Sequence, residues 1–318
     1  MRCLVVGGAG FIGSYAVREL LDRGHSVVVY DALPEHNSFQ RVWGGAGLDG
    51  ITLVPGDVGD LAQLARTIRD HQVDHIVTLA AWQIPACAAN PTAALRVNGI
   101  GFNNVLEAAA LLGIERVVWA SSNAVFGSPQ SHQAELIPND EPHRPNTVYG
   151  ALKSLNEYMA QHYFDTRGVD SVGLRFGLVY GPGRMRGAST FASTMIESAA
   201  TGTPCVVDNA DSTVDWLYAV DAGRYIVAAL EASAPQERCY NTAGDVRSVR
   251  EAAAYLRELV PGAALDLRPG TINACWRLDS EHFFRDMGCA RNFSMEQGLA
   301  DAVRRVRERA QDAQLSAA

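Results

Sequence analysis

No stretch of this 318-residue chain approaches the roughly 20 consecutive apolar residues that a membrane-spanning helix needs. Positive charge is also in short supply. The 27 lysines and arginines stand against 35 aspartates and glutamates, a formal charge of −8, which argues against nucleic acid or an anionic membrane as partner. The six cysteines (Cys3, Cys87, Cys205, Cys239, Cys275 and Cys289) are scattered and include no C-x-x-C pair. In a chain this long that pattern reads as reduced, mostly buried thiols in a cytoplasmic protein. His71 and His75 are four apart, but they fall where a helix hands over to a strand, so no metal site is expected. "MRCLVVGGAG" runs straight into strand and glycine loop, leaving no room for a signal peptide. Internal repeats are absent. What remains is a globular chain, 47% hydrophobic, long enough for a large core and a second lobe.

The first half alternates β-branched runs with helical patterns. Apolar runs at Cys3–Val6, Ser26–Tyr30, Ile51–Val54, His75–Ala80, Val117–Ala120 and Ser171–Phe176 read as strands of a parallel sheet covered on both faces. Helices are expected at Ser14–Arg23, Leu61–Asp70, Pro91–Leu112 and Thr147–Thr166. Gly24, Gly113 and Gly168 punctuate three of them, and Asn90-Pro91 supplies a cap and first turn. The pattern specifies an α/β, Rossmann-type doubly wound parallel sheet over residues 1–176. Residues 177–318 are expected to form mainly a smaller substrate lobe, with a strand near 238–242 joining the main sheet. In that part "VYGPGRMRG" reads as a loop, Ser189–Thr201 as a helix and "NADSTVDWLY" as an extended stretch before a helix at Asp221–Glu231. Ser248 with Glu251 forms a capping-box pattern. A strand near Leu265–Arg268 and a helix Met295–Gln311 close the chain.

The first strand enters "GGAGFIG", Gly7 to Gly13, directly before a helix. Glycines there allow a tight turn, close backbone approach to a pyrophosphate and close helix–strand packing. The helix N-terminus then offers free N–H groups to the phosphates, so Gly7, Gly10, Phe11, Ile12 and Gly13 are candidate cofactor contacts. Asp31 ends the second strand at the distance expected of the ribose-binding acid. A carboxylate there accepts from both ribose hydroxyls and repels a 2′-phosphate. With no Arg or Lys close behind, NAD is favoured over NADP. In "GDVGD", Asp57 and Val58 would flank the adenine, although Asp57 is equally a helix cap.

Tyr149 and Lys153 in "VYGALKS" lie one helical turn apart. On spacing alone they are as well read as an exposed pair. Their company changes that. "GGAGFIG", "GDV", "LAA", "NPTAALRVNGIGFNNVLEAA", "SSNAVFG", "YGALK", "LRFGLVYGPG" and "MGCARNFSMEQGLADAV", in this order, resemble the extended branch of the short-chain dehydrogenase/reductase superfamily, over nearly the whole chain. The resemblance implies that Ser122 is the catalytic hydroxyl and Tyr149 the acid/base. Lys153 would lower the Tyr149 pKa and bind the nicotinamide ribose. It also implies that Leu79, Ala80 and Ala81 pass that ribose, that Asn98 braces the site from its helix, and that Phe176 belongs to the cofactor site.

The departures from the family pattern bear on the substrate. Leu178 stands where sugar-nucleotide members usually carry asparagine, and Val214 where they usually carry arginine. Both positions ordinarily hold a diphosphate. The expected pocket is lined by Trp82, Gln83, Ile84, Asn123, Phe126 and Leu178, with Trp82 equally placed for core packing. Arg184 and Arg186 either receive a carboxylate or are solvated surface. These features imply an NAD-dependent dehydrogenase of a small, non-nucleotide substrate, acting as a homodimer. An epimerase using transient oxidation and a non-catalytic NAD(H) sensor are the alternatives.

Overall fold

The computed structural model describes residues 1–33, 38–43 and 50–317. Seven parallel strands form its central sheet: β1 (Arg2–Val6), β2 (Ser26–Asp31), β3 (Ile51–Pro55), β4 (His75–Thr78), β5 (Arg116–Ser122), β6 (Ser171–Phe176) and β10 (Cys239–Asn241). Their spatial order is β10-β6-β5-β4-β1-β2-β3. The order reverses direction beside β1, and the crevice past the strands' carboxyl ends there is where a doubly wound sheet binds its ligand. On one face lie α1 (Phe11–Asp22), α9 (Ala219–Glu231) and the short α11 (Glu281–Met287), sealed by residues such as Tyr15, Val17, Tyr225, Ile226 and Phe283. The other face carries α3 (Leu61–Asp70), α6 (Phe102–Leu112) and α7 (Val148–Arg167), through Leu64, Ile68, Phe102, Val105 and Tyr163. Burial on both faces is why the inner strands read as unbroken apolar runs. Edge strand β3, with Thr52 and Leu53 exposed, does not follow that rule.

Local chemistry sets the helix ends. Asp60 caps α3 by accepting the Gln63 N–H, and Thr147 caps α7 by accepting that of Gly150. Gly113 and Gly168 close α6 and α7 in the left-handed conformation. Asp60 as the α3 cap removes that role from Asp57.

The expected helix over Pro91–Leu112 forms as one continuous stretch, but it widens in its middle. After α4 (Ile84–Ala89), a single turn, α5 (Pro91–Ala94), leads into a π-helical segment, Leu95–Gly101, before α6 begins. A widened turn inside a helix commonly marks a functional site. Here it lets Asn98 hold both the N–H (2.7 Å) and the C=O (2.9 Å) of Trp82. Gly101 fits only because it has no side chain, since a Cβ would lie 2.5 Å from Val58.

The chain after residue 177 does not remain in one lobe. α9 and β10 return to the main sheet, β10 pairing in parallel with β6. The smaller lobe holds β7 (Leu178–Tyr180), β9 (Thr213–Tyr218) and β11 (Asp245–Ser248), plus the pair β8 (Cys205–Val207) and β12 (Leu265–Leu267). Thus the start of the expected loop "VYGPGRMRG" is strand, drawn into register with Trp216–Tyr218 of β9. Helices α8 (Thr190–Thr201), α10 (Val249–Leu259) and α12 (Met295–Ala317) cover this sheet around a core that includes Met195, Trp216, Leu256 and Leu299. Ser248 and Glu251 form both bonds of a capping box at the start of α10.

Candidate active site

A cavity of about 650 Å³ opens where the carboxyl ends of β1, β4 and β5 face the smaller lobe. Its floor is the glycine loop. A Cβ on Gly7 would stand 2.5 Å from the Ala80 nitrogen, and one on Gly13 would stand 2.6 Å from the Gly8 carbonyl oxygen, so both positions exclude any larger residue. Gly10 differs: its missing Cβ would meet only the Gly7 carbonyl, at 3.2 Å, and the rest of the space is open. No side chain caps α1 at Gly10. The first-turn N–H groups of Phe11, Ile12 and Gly13 are therefore left to an anion in the cavity they line. At the far end of this floor Asp31 accepts the N–H groups of Ala9 and Leu33, at 3.1 Å each, and still borders the cavity. A bare helix N-terminus beside an anchored carboxylate fits the pyrophosphate and ribose of a dinucleotide.

The chemistry-bearing residues stand above the β-strand ends. β5 delivers Ser122, and the first two turns of α7 deliver Tyr149 and Lys153; all three are buried and line the cavity. Burial pushes the Tyr149 hydroxyl up to about 12, opposed by the adjacent Ser122 hydroxyl and the Arg184 guanidinium. Lys153 is pulled down to about 8 by burial, against the opposing influence of Cys87 and Glu157. Its Nζ donates to the Ala120 carbonyl and sits 5.6 Å from the centre of the Tyr149 ring. The Arg184 guanidinium is a further positive charge that favours the phenolate. Arg184 is placed for this by the loop after β7, whose first residues pair with β9.

A buried ion pair supports the platform from below. Glu157, one turn beyond Lys153, accepts from Arg175 Nε (2.9 Å) and Nη2 (2.7 Å) and from the Ser121 hydroxyl (2.6 Å). His143 Nε2 lies 3.2 Å from the same carboxylate. Ser121 thus anchors β5 to α7 while its neighbour Ser122 faces the cavity.

Several residues expected at the site lie elsewhere. Asp57 is engaged by Arg96 (2.6 Å) and by the Gly59 N–H, and Val58 packs in the core beside α6; neither lines the cavity. Ala80 meets Gly7 with its backbone rather than the cavity with its side chain, whereas Leu79, Ala81 and Phe176 do line it. Asn98 is fully enclosed, holding Trp82 and donating to the Cys87 sulfur at 3.5 Å. Trp82 itself is turned outward, 36% exposed. Leu178 and Phe126 are fully buried, Leu178 because β7 alternates it into the core of the smaller lobe. Gln83, Ile84 and Asn123 do reach the cavity, as do Arg184 and Arg186. Asn123 also donates to the Cys275 carbonyl at 2.8 Å, tying the segment 272–276 across the opening. That segment, with Trp276, and Arg41 of α2 (Phe39–Trp43) are among the lining residues no sequence signal marked. They are brought in by contacts across more than a hundred residues.

A bare glycine-loop helix, an anchored acid one strand away and a buried Ser–Tyr–Lys set define a dinucleotide-dependent oxidoreductase of the short-chain type. The model of the NAD dependent epimerase/dehydratase family matches residues 3–243, and the chain belongs to that family; it is an enzyme, and its cofactor is NAD. The chain is 32% identical to a UDP-glucose 4-epimerase of Azospirillum brasilense over 85% of this chain and 81% of that one. It spans about half the length of other curated relatives, among them the protein CapI of Staphylococcus aureus, at 31% identity over 55% of its length. Among solved structures, the holo form of a GalE-like L-threonine dehydrogenase from Cupriavidus necator superposes with a TM-score of 0.85 at 27% identity, covering 96% of this chain and 99% of that one. The UDP-glucose 4-epimerase of Thermus thermophilus in complex with NAD gives 0.78 at 27%, over 96% and 99%.

Proposed function

We propose that this protein oxidises the alcohol of a small, non-nucleotide substrate, or reduces the corresponding ketone, with NAD. The observation that carries the reading is the fate of positions 178 and 214. Both side chains are fully buried in the core of the smaller lobe. A diphosphate leaving water needs its charge paired, and neither residue can approach one. The likeness to an L-threonine dehydrogenase, whose name specifies a small hydroxylated substrate, supports the same reading.

In the proposed reaction, bound NAD supplies the hydride acceptor. Ser122 and Tyr149 hold the substrate hydroxyl, and Tyr149 takes its proton at Oη or returns it in reduction. Lys153, fixed on the Ala120 carbonyl, and Arg184 set the charge that lets a buried phenol do this near neutral pH. Asp31 selects NAD over NADP by accepting from the ribose hydroxyls. The 272–276 segment restricts water over the reacting groups.

Two further features belong to this reading. The exposed apolar residues Leu95, Ile100 and Leu111 on one long helical stretch, and Leu155, Tyr158 and Phe164 on α7, suit a homodimer built from these helices. Six free cysteines, five of them buried, suit a cytoplasmic protein.

A sugar-nucleotide epimerase is the second reading, favoured by the 32% identity to such an enzyme over most of both chains. Calorimetry with UDP-glucose and GDP-mannose in the presence of NAD, beside NADH formation across a panel of small alcohols and hydroxy acids, separates the two. Weak or absent nucleotide-sugar binding with net NADH production is expected. Micromolar nucleotide-sugar affinity would put the epimerase first.

A further inference from the structure

The catalytic end of the cavity carries charge of one sign. Arg184 lines it, with Nη1 donating to the Val179 carbonyl and Nη2 to the Ser189 hydroxyl at 3.2 Å, while Nε is sealed from solvent without a partner. Both partners are neutral. No described carboxylate pairs with this guanidinium, whose desolvation an anion would offset. Arg184 lines the same cavity as Tyr149, whose phenolate its charge favours.

A second donor lies across the opening. Trp276 lines the cavity, and its Nε1 is buried with no acceptor. A buried donor left unpaired forfeits its hydration without return, so its persistence needs a reason. The segment that carries it is held at both ends, by Asn123 on the Cys275 carbonyl and by the Ile137 N–H on that of Arg277. Trp276 is therefore fixed against the opening and is not a loose surface ring.

The third observation concerns acids. Among the described lining residues Asp31 is the only carboxylate, and it lies at the glycine-loop end, already bonded to Ala9 and Leu33. No described carboxylate at the catalytic end would pair an ammonium group, while Lys153 and Arg184 would repel one.

We propose that the substrate is a small hydroxy acid without an amino group, its carboxylate received by Arg184 with Trp276 Nε1 as second donor. This rests on the dehydrogenase reading and names its substrate class. The change it undergoes is balanced: two electrons leave the carbinol carbon as hydride, accepted by NAD. The hydroxyl proton passes to Tyr149 Oη, and an oxo acid remains.

The test pairs acids with their neutral counterparts: 3-hydroxybutyrate with 1,3-butanediol, glycerate with glycerol, and gluconate with glucitol, with L-threonine added. NADH formation is measured with NAD, and binding to the protein–NADH complex is measured by calorimetry, which does not depend on turnover. At least one acid should exceed its alcohol tenfold or more in kcat/KM and should exceed L-threonine. Arg184→Gln should reduce that acid-to-alcohol ratio by roughly 10- to 100-fold, with Arg184→Lys retaining part of it. Trp276→Phe, which keeps the ring and removes the donor, should raise KM for the acid several-fold. Equal use of alcohols and acids, or preference for L-threonine, would overturn the inference while leaving the dehydrogenase in place. So would a loss of NADH affinity in Arg184→Gln equal to the loss for the acid, since the anion served would then be the cofactor's pyrophosphate. Nucleotide-sugar binding with no NADH from any compound would instead remove the dehydrogenase reading, and acid binding to the NADH complex would still be read separately.

Discussion

Replacing Glu157 by glutamine should cost the fold about 3 kcal/mol at neutral pH, and that cost should shrink on acidification. In the native protein burial by itself would raise the Glu157 pKa, but hydrogen bonds from His143 and Arg175 and their charges overcome this and hold it at about 2. An unfolded glutamate titrates near ~4.3. Each step of one in pKa is worth about 1.4 kcal/mol, so the difference corresponds to about 3 kcal/mol of stability. Because the folded pKa is the depressed one, this contribution is fully present above about pH 4.3 and is lost as pH falls toward 2. Breaking a buried pair from one side gives a similar figure, about 3–5 kcal/mol, since Arg175 is left buried with its charge uncompensated. Glutamine removes the charge at nearly constant volume, so packing loss does not enter. Urea unfolding of wild type and Glu157→Gln at pH 7 and pH 3.5 provides the measurement. A difference below 1 kcal/mol at pH 7, or one that fails to shrink at pH 3.5, would refute the reasoning.

Tyr149→Phe removes the titrating hydroxyl and keeps the ring, so NADH production should fall by a factor of roughly 100 to 10,000 while NAD affinity by calorimetry stays within a few-fold. Asp31→Ala should narrow the preference for NAD over NADP, mainly by weakening NAD; equal wild-type affinities for the two would contradict the role given to Asp31. Leu155→Glu, on the exposed face of α7, should shift a dimer to monomer in light scattering at micromolar concentration. Gly7→Ala should destabilise the fold and abolish NAD binding, because the new methyl would stand 2.5 Å from the Ala80 backbone.

Much of this protein is written in short-range pattern. Unbroken β-branched runs mark strands with both faces covered, and that rule worked for β1, β2 and β4–β6 because helices do cover them. The glycine loop and Asp31 are legible for a related reason: each sits at a fixed place in one strand–helix–strand unit. The Tyr149–Lys153 spacing is local too, being one turn of α7.

Long-range contact decided the rest. Nothing near Pro91–Leu112 announces a π-helical segment, which carries Asn98 to Trp82 and Gly101 against Val58. Leu178 reads as a pocket residue from its place in a motif, yet β7 pairs with β9 and alternation turns it into the core. The charge of Arg184 becomes consequential only once the smaller lobe folds over the sheet and buries it with no described acid as partner. Trp276 comes to the opening through Asn123, more than 150 residues earlier in the chain. Periodicity and turn chemistry act within a few residues, so they specify elements. Burial and pairing are set by whatever the folded chain brings alongside, and the charge and shape of the substrate end depend on those.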